Sequence, residues 1–406
     1  MSDITDGDRN LHLARACLAS GKSGEAREIC ESLLKSNARD PKVLHCLGLA
    51  YLHDKHLQSA IEWLIKASRL APERSEYLID LAAAHHQNGN LTAALRGHKK
   101  VLQLVPDDPV ALNNFGITLW DLGRVEEAVN AYRRALKKER LYPDANFNLG
   151  LALFNEFDPG PAITCFARAV LANPWYMEAV FFCGVMLELK GNHDEAQQQF
   201  RKLKTGETAW LVDSWAYVKA KRSAETKLLT NTFRTLGFAL EQATVSGLVM
   251  EFGVRFGSSI NYLAMCTNEM IHGFDSFEGL PEPWGQHPKG TYSLGGRLPE
   301  IGDNVRLYRG LFKDTLPKFL VAHTQPIRFA NIDCDLFSST KTVLENIHRQ
   351  LVTGTILVFD EYLCSPSWRN DEFRAFREAV QEYGWEYDYL AFNLPTRQAV
   401  IRIRRI

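Results

Sequence analysis

Residues 328–347 read RFANIDCDLFSSTKTVLENI: an apolar run with strand character, then a helix-patterned segment, with Asp333 and Asp335 at the junction. A strand that ends in carboxylates and passes into a helix is half of a βαβ unit, and in such units ligands bind outside the carboxyl ends of the strands. Similar short apolar runs recur outward from it. GLVMEFGV, MIHGFDSF and VRLYRGLF precede it, and TILVFDEY, EYDYLAFN and QAVIRIRR follow. The first five strands, separated by helices, predict a mostly parallel sheet, and the last pair predicts an antiparallel closure. Residues 207–244 read as helical and lead into that sheet core, 245–406.

The first half follows a different rule. Stepping by 34 from Ala14 gives Gly48, Ala82, Gly116, Gly150 and Gly184, and from Ala26 it gives Ala60, Ala94, Ala128, Ala162 and Ala196. Small residues on two such combs mark close approach of paired helices. Aromatics keep the register at Tyr132, Phe166 and Phe200, glycines fall near the turns within repeats, and Pro72, Pro106 and Pro174 mark repeat ends. This register resembles a tetratricopeptide repeat (TPR) array of six units over 7–205, an all-α superhelix whose groove binds a protein partner or another copy of the chain. Residues 206–406 then form the α/β domain.

The strand ends carry the candidate chemistry. MEFGVRFGSSI (250–260) places Glu251, Gly253, Gly257 and Ser258 between a strand and a helix. Glycine lets the backbone turn sharply and approach a ligand, and the helix start offers free N–H groups. The first glycine of a dinucleotide fingerprint is missing; E-x-G-x-x-x-G is instead the pattern of S-adenosylmethionine sites. An ordinary tight turn is the competing reading. The next strand ends at Asp275 and Ser276, where a carboxylate can accept both ribose hydroxyls of an adenosine. Asp333, Asp360 and Glu361 end neighbouring strands, and three hard oxygen donors on one sheet edge suit Mg²⁺ better than zinc. Helix capping is the alternative for these acids; the SST after Asp335 favours it for Asp335, which stays outside the predicted ligand set. The loop PWGQHPKGTYSLGGR (283–297) reads as a lid with Trp284, Tyr292 and four glycines, and its His287 is either a base or a solvated surface histidine. Trp368 and Arg369 read as capping and packing residues.

MEFGVRFGSSI, HGFDSFEGLPEPW, GLFKDTLPKFL, NIDCDLFSSTKTVL and VFDEY, in that order, resemble the macrocin O-methyltransferase (TylF-type) family over about the last 170 residues. The resemblance implies a class I, Rossmann-like enzyme that uses S-adenosylmethionine and Mg²⁺ to methylate sugar hydroxyls. It implies that Glu251, Gly253 and Asp275 hold the cofactor, that Gly310 to Phe312 flank its adenine, and that Asp333, Asp360 and Glu361 bind the metal. Asp333 would also be the base. Many relatives carry an aspartate where this chain has Glu361, whose longer arm still reaches an ion. Leu336 occupies the place at which catechol methyltransferases keep a lysine base.

Composition narrows the alternatives. The 406 residues are 46% hydrophobic and 23% charged with a net charge of −1, a globular balance with no field for nucleic acid. No apolar run approaches the roughly 18 residues of a membrane span. The start, MSDITDGDRN, reads as neither a secretory nor a transit signal. The eight cysteines form no C-x-x-C pair, which suits reduced thiols in the cytoplasm. Three functions compete: an O-methyltransferase acting on a sugar or other small-molecule or glycan hydroxyl, a protein methyltransferase recruiting a polypeptide through the repeat groove, and an inactive scaffold.

Overall fold

The computed structural model describes residues 6–204 and 206–406. The polar start of the chain (1–5) and the predicted domain boundary at Thr205 lie outside the described residues. The chain divides into two compact units, Met1–Ala145 and Asn146–Ile406.

In the first unit, eight helices pair in sequence order: α1 (Asp6–Ala19) with α2 (Ser23–Ser36), α3 (Pro41–His53) with α4 (Leu57–Leu70), α5 (Ser75–Gln87) with α6 (Leu91–Leu104), and α7 (Pro109–Asp121) with α8 (Val125–Lys138). The combs account for this pairing. Ala14, Ala26, Ala60, Ala82, Ala94 and Ala128 are completely buried. A Cβ on Gly48 would come within 2.8 Å of the Leu64 side chain, and one on Gly116 within 2.5 Å of Tyr132. The turns inside the hairpins use left-handed backbone at Gly21, Gly89 and Gly123, and the second repeat puts Lys55 there at φ 61°. Asp40 and Asp108 cap α3 and α7 by accepting from Lys42 N–H (2.9 Å) and Ala111 N–H (2.7 Å), each followed by proline at the first helical position. Successive repeats are also bridged by His45–Asp80 and His86–Asp121, both at 2.7 Å.

The division falls inside α9 (Pro143–Ala152), so the last helices of the comb belong to the second unit. There α10 (Gly160–Ala172), α11 (Met177–Leu189) and α12 (His193–Arg201) keep the repeat packing, with Gly150 and Gly184 each against a phenylalanine, Phe166 and Phe200. They share one apolar core with α13 (Ala209–Lys221) and one face of the sheet, which is why they pack with it. Polar ties reinforce the contact: Trp215 Nε1 donates to Glu188 at 2.5 Å, Arg222 pairs with Glu156 at 2.6 Å, and Thr230 Oγ1 donates to the Leu151 carbonyl at 3.2 Å.

The sheet has eight strands: β1 (Lys227–Leu229), β2 (Leu248–Phe252), β3 (Ile271–Asp275), β4 (Val305–Arg309), β5 (Ile327–Ile332), β6 (Leu351–Phe359), β7 (Glu386–Asn393) and β8 (Gln398–Arg405), in the order β1-β7-β8-β6-β5-β2-β3-β4. Only β8 runs against the others, so the predicted antiparallel closure is present. One expectation needs correction: 207–244 is not helical throughout, because β1 separates α13 from α14 (Thr232–Gln242). With three residues it is too short to show a pattern, and its partner β7 lies far away in sequence.

Helices cover both faces. α14 and α15 (Ser258–Cys266) pack on one, over Val249, Ile271, Phe329 and Val358. α16 (Phe312–Ala322), α17 (Phe337–Ile347) and α18 (Glu372–Tyr383) pack on the other, over Met250, Phe252, Ile332 and Phe359. Every residue of β2 is buried, as a central strand between two helical layers requires. All eight cysteines are free thiols, seven of them buried. Among the described residues no helix is long and apolar enough to cross a membrane.

Candidate active site

The loops leaving β2, β3, β4, β5 and β6 surround a cavity of about 530 Å³, within the size range of small-molecule sites. Gly253, directly after β2, lines it at φ 92°. A side chain there would collide with the Asp333 carbonyl oxygen, so only glycine lets the two central strand ends come this close. Asp275 ends β3 and organises the wall: its Oδ2 accepts from the N–H groups of Val254 (2.9 Å) and Arg255 (2.8 Å), and its Oδ1 from Phe277 N–H (2.7 Å). A carboxylate has about four acceptor positions, so capacity remains for a ligand hydroxyl. Ser276, Gly310 and Phe312 line the same cavity.

Three residues expected at the cofactor do not line this cavity. Glu251 is completely buried and lines no part of the cavity. Strand alternation puts it on the Val249 side of β2, beneath α15, where its carboxyl accepts from Ser259 Oγ (2.8 Å) and Asn331 Nδ2 (3.2 Å). Burial pushes that carboxyl up to about 8. Gly257 caps α15 in left-handed backbone, and Ser258 is exposed and outside the cavity lining.

The acidic edge is more crowded than the sequence suggests. Asp333, Asp335 and Asp360 all line the cavity. Backbone ladders carry them there, with Asp333 N–H donating to Phe252 O (2.8 Å) and Asp360 N–H to Ile332 O (3.0 Å). Burial, then the charges of Asp360 and Asp335, hold Asp333 well above the ordinary carboxylate range. Burial and neighbouring Glu361 push Asp335 and Asp360 each up to about 7. Glu361 itself lies outside the lining and pairs with Arg397 at 2.9 Å. Gln398 Nε2 donates to Asp360 at 2.6 Å.

Sequence reading missed Glu372. It is fully buried in the first turn of α18 and accepts from Cys334 N–H and Glu361 N–H, both at 3.2 Å, tying together the two acidic loops. An acid opening a helix looks like ordinary dipole compensation, so nothing in the pattern sets it apart. Arg255 was also passed over. It lines the cavity with its guanidinium 4.6 Å from the Tyr292 ring and its Nε without a partner.

His287 does not line the cavity. Its backbone exchanges two 2.8 Å hydrogen bonds with Trp284, and its ring stacks on that tryptophan. Tyr292 of the same loop does line it. Trp368 is buried and Arg369 pairs with Asp213 at 2.8 Å, so packing accounts for both. Among the described residues, no three Asp, Glu, His or Cys side chains are drawn into a ready metal cage.

Residues 297–384 match the model of the macrocin O-methyltransferase (TylF) family. This match lies within the second unit. Residues 11–32 and 118–156 match tetratricopeptide repeat models. A Streptomyces olivaceus protein described as an 8-demethyl-8-(2,3-dimethoxy-alpha-L-rhamnosyl)-tetracenomycin-C 4'-O-methyltransferase is 31% identical over 170 residues, 35% of this chain and 60% of that protein. Demethyldecarbamoylnovobiocin O-methyltransferase of Streptomyces niveus is 31% identical over 84 residues, 20% of this chain and 31% of its own length. The chain thus spans less than two thirds of either relative. The solved structure of CalS11, a calicheamicin methyltransferase, aligns with a TM-score of 0.36 at 24% identity, covering 52% of this chain and 92% of that one. The TylF-type match contains the β4 loop, Asp333, Asp335, Asp360, Glu361 and Glu372, so it spans the acidic edge but begins after Asp275.

Proposed function

We propose that the second unit transfers a methyl group from S-adenosylmethionine to a hydroxyl of a sugar or another small-molecule or glycan acceptor, with Mg²⁺ at the acidic edge. The observation that carries this reading is one cavity with a cofactor-like wall (Gly253, Asp275, Ser276, Gly310, Phe312) and three carboxylates (Asp333, Asp335, Asp360). The cofactor fits: the cavity is large enough, Asp275 keeps acceptor capacity for a ribose, and Phe312 offers an apolar surface for a base. The donor set also fits a hard divalent cation. Buried carboxylates that raise one another's pKa are relieved by positive charge, and Asp333 and Asp360 are the residues that would hold it.

S-Adenosylmethionine supplies an electrophilic methyl, and the cation lowers the pKa of the acceptor hydroxyl. The chain supplies the rest. Asp333, on the central strand end, takes the hydroxyl proton on a carboxylate oxygen. Gly253 and Asp275 would hold the cofactor and set its orientation toward the acceptor. Tyr292 of the glycine-rich loop meets the Arg255 guanidinium at the cavity wall, and Glu282, just before that loop, accepts from Ser338 Oγ of α17 at 2.6 Å. Ser338, Ser339 and Thr342 give the opposite wall hydroxyls suited to a polyol. His287, turned to Trp284, takes no part in this scheme. The repeats would recruit a protein partner or a second copy, and the buried free thiols suit a reducing cytoplasm.

The test is calorimetric titration of S-adenosylhomocysteine with and without Mg²⁺, followed by methyl transfer to a panel of sugars and diols. Cofactor binding with cation-dependent transfer supports the proposal. Cofactor binding with cation-independent transfer to a protein would replace it with the polypeptide-methylating reading, and an absence of cofactor binding would leave a scaffold.

A further inference from the structure

Arg255 is a cavity cation whose side chain meets no anion at hydrogen-bonding distance. Its Nε is buried without a partner, and no described residue forms an ion pair with its guanidinium. Aromatic rings attend it instead, with the Tyr292 centroid 4.6 Å and the Phe256 centroid 5.1 Å from Cζ. Stacking uses the face of a guanidinium and leaves the N–H groups along its edge free to donate. A buried donor without an acceptor is unfavourable, and a ligand anion removes that cost.

The place of Arg255 in the wall points to one anion. Its backbone N–H donates to Asp275 Oδ2 at 2.8 Å, so the residue starts from the carboxylate that keeps capacity for a ribose. The cavity lining has five carboxyl groups against two cations, Arg255 and Lys313. Lys313 is exposed and follows Phe312, on the side that offers an apolar surface for a base. An acidic surplus suits S-adenosylmethionine, which carries a sulfonium and an ammonium against a single carboxylate. That carboxylate lies at the far end of the molecule from the adenine, and the acids would repel it everywhere but at Arg255.

We propose that Arg255 holds the carboxylate of the cofactor's amino-acid arm through the free edge of its guanidinium. This rests on the cofactor reading above. Asp275 at the ribose and Arg255 at the carboxylate then fix both ends of the arm that contains the sulfur, and the rings of Tyr292 and Phe256 keep the guanidinium from turning away. An acidic acceptor, such as a sugar acid, is the other source of a carboxylate, and the test separates the two.

The test is calorimetric titration of the full chain with S-adenosylhomocysteine and with its decarboxylated form, which keeps the amine and lacks the carboxylate; glucuronate is titrated into the cofactor-saturated chain. Arg255 already holds left-handed backbone at φ 47°, so Arg255→Gln changes the head group and not the turn. That variant should weaken S-adenosylhomocysteine by about tenfold or more, the scale of a lost charge-assisted pair, and leave the decarboxylated form no weaker. Arg255→Lys, with the charge but not the fork, should fall between. Melting temperature serves as the fold control. Equal weakening of both nucleosides would show that Arg255 shapes the wall, and no weakening of either would put the carboxylate elsewhere; each result overturns the proposal. Loss of glucuronate binding with S-adenosylhomocysteine affinity intact would give the anion to the acceptor and overturn it as well. If the unaltered protein binds neither nucleoside, the cofactor reading falls with it.

Discussion

Glu251 is a buried and Asp333 a partly buried carboxylic acid at central strand ends, and the direction of one side chain separates their roles. Asp333 lines the cavity, so Asp333→Ala should reduce methyl transfer by about 10²–10⁴-fold while S-adenosylhomocysteine still binds by calorimetry. Equal loss of both would mean that the residue holds the fold rather than the reaction. Glu251 faces α15 instead. Its value in the folded chain, about 8, stands above the ordinary 4.5, so the folded state holds the proton more tightly than the unfolded one. The resulting stability is complete below about pH 4.5 and disappears as pH rises through about 8. Glutamine keeps the shape and never ionises. Glu251→Gln should match the unaltered protein in unfolding free energy near pH 5 and exceed it near pH 8.5, by on the order of 1–3 kcal/mol. An equal difference at both pH values would show that Glu251 does not titrate in the folded chain.

At the level of elements, periodicity decided what could be read from the chain. The repeat helices are legible because one contact, a small residue against a large one, recurs; Gly116 against Tyr132 and Gly184 against Phe200 are instances. Gly116→Leu should therefore destabilise the array by about 1–3 kcal/mol or more, measured by urea unfolding, and Gly24→Ala, at an exposed glycine in the first turn of helix α2, should cost far less. The parallel strands were legible as apolar runs ending in Gly253, Asp275, Asp333 and Asp360, all four on the cavity wall. Less could be read where geometry depends on partners distant in sequence. β1 exists because β7 is there to pair with it, and Arg397 and Gln398 meet the acidic edge only because β8 reverses direction beside β6. A motif fixes the position of Glu251 along its strand, whereas strand alternation assigns the face that its side chain takes.

For the whole molecule, the comb of small residues and the division into compact units do not coincide. The second unit takes α10–α12 with the sheet, so residues 143–406 should fold alone and bind S-adenosylhomocysteine. A chain of residues 206–406 would leave Leu211, Trp215 and Val218 uncovered, losing apolar burial on the order of several kcal/mol. Analytical ultracentrifugation should find the longer piece monodisperse or discretely associated and the shorter one aggregated; two equally well-behaved pieces would refute the division. The strand order also governs how the chain emerges during synthesis. Each early hairpin needs only its neighbours and can form as the ribosome releases it. β1 and β6, by contrast, must wait for β7 and β8, so the half-built sheet keeps apolar edges open until the chain has passed Arg405. Nascent chains stalled before β7 should recruit chaperones through this second half, while their finished repeats need none.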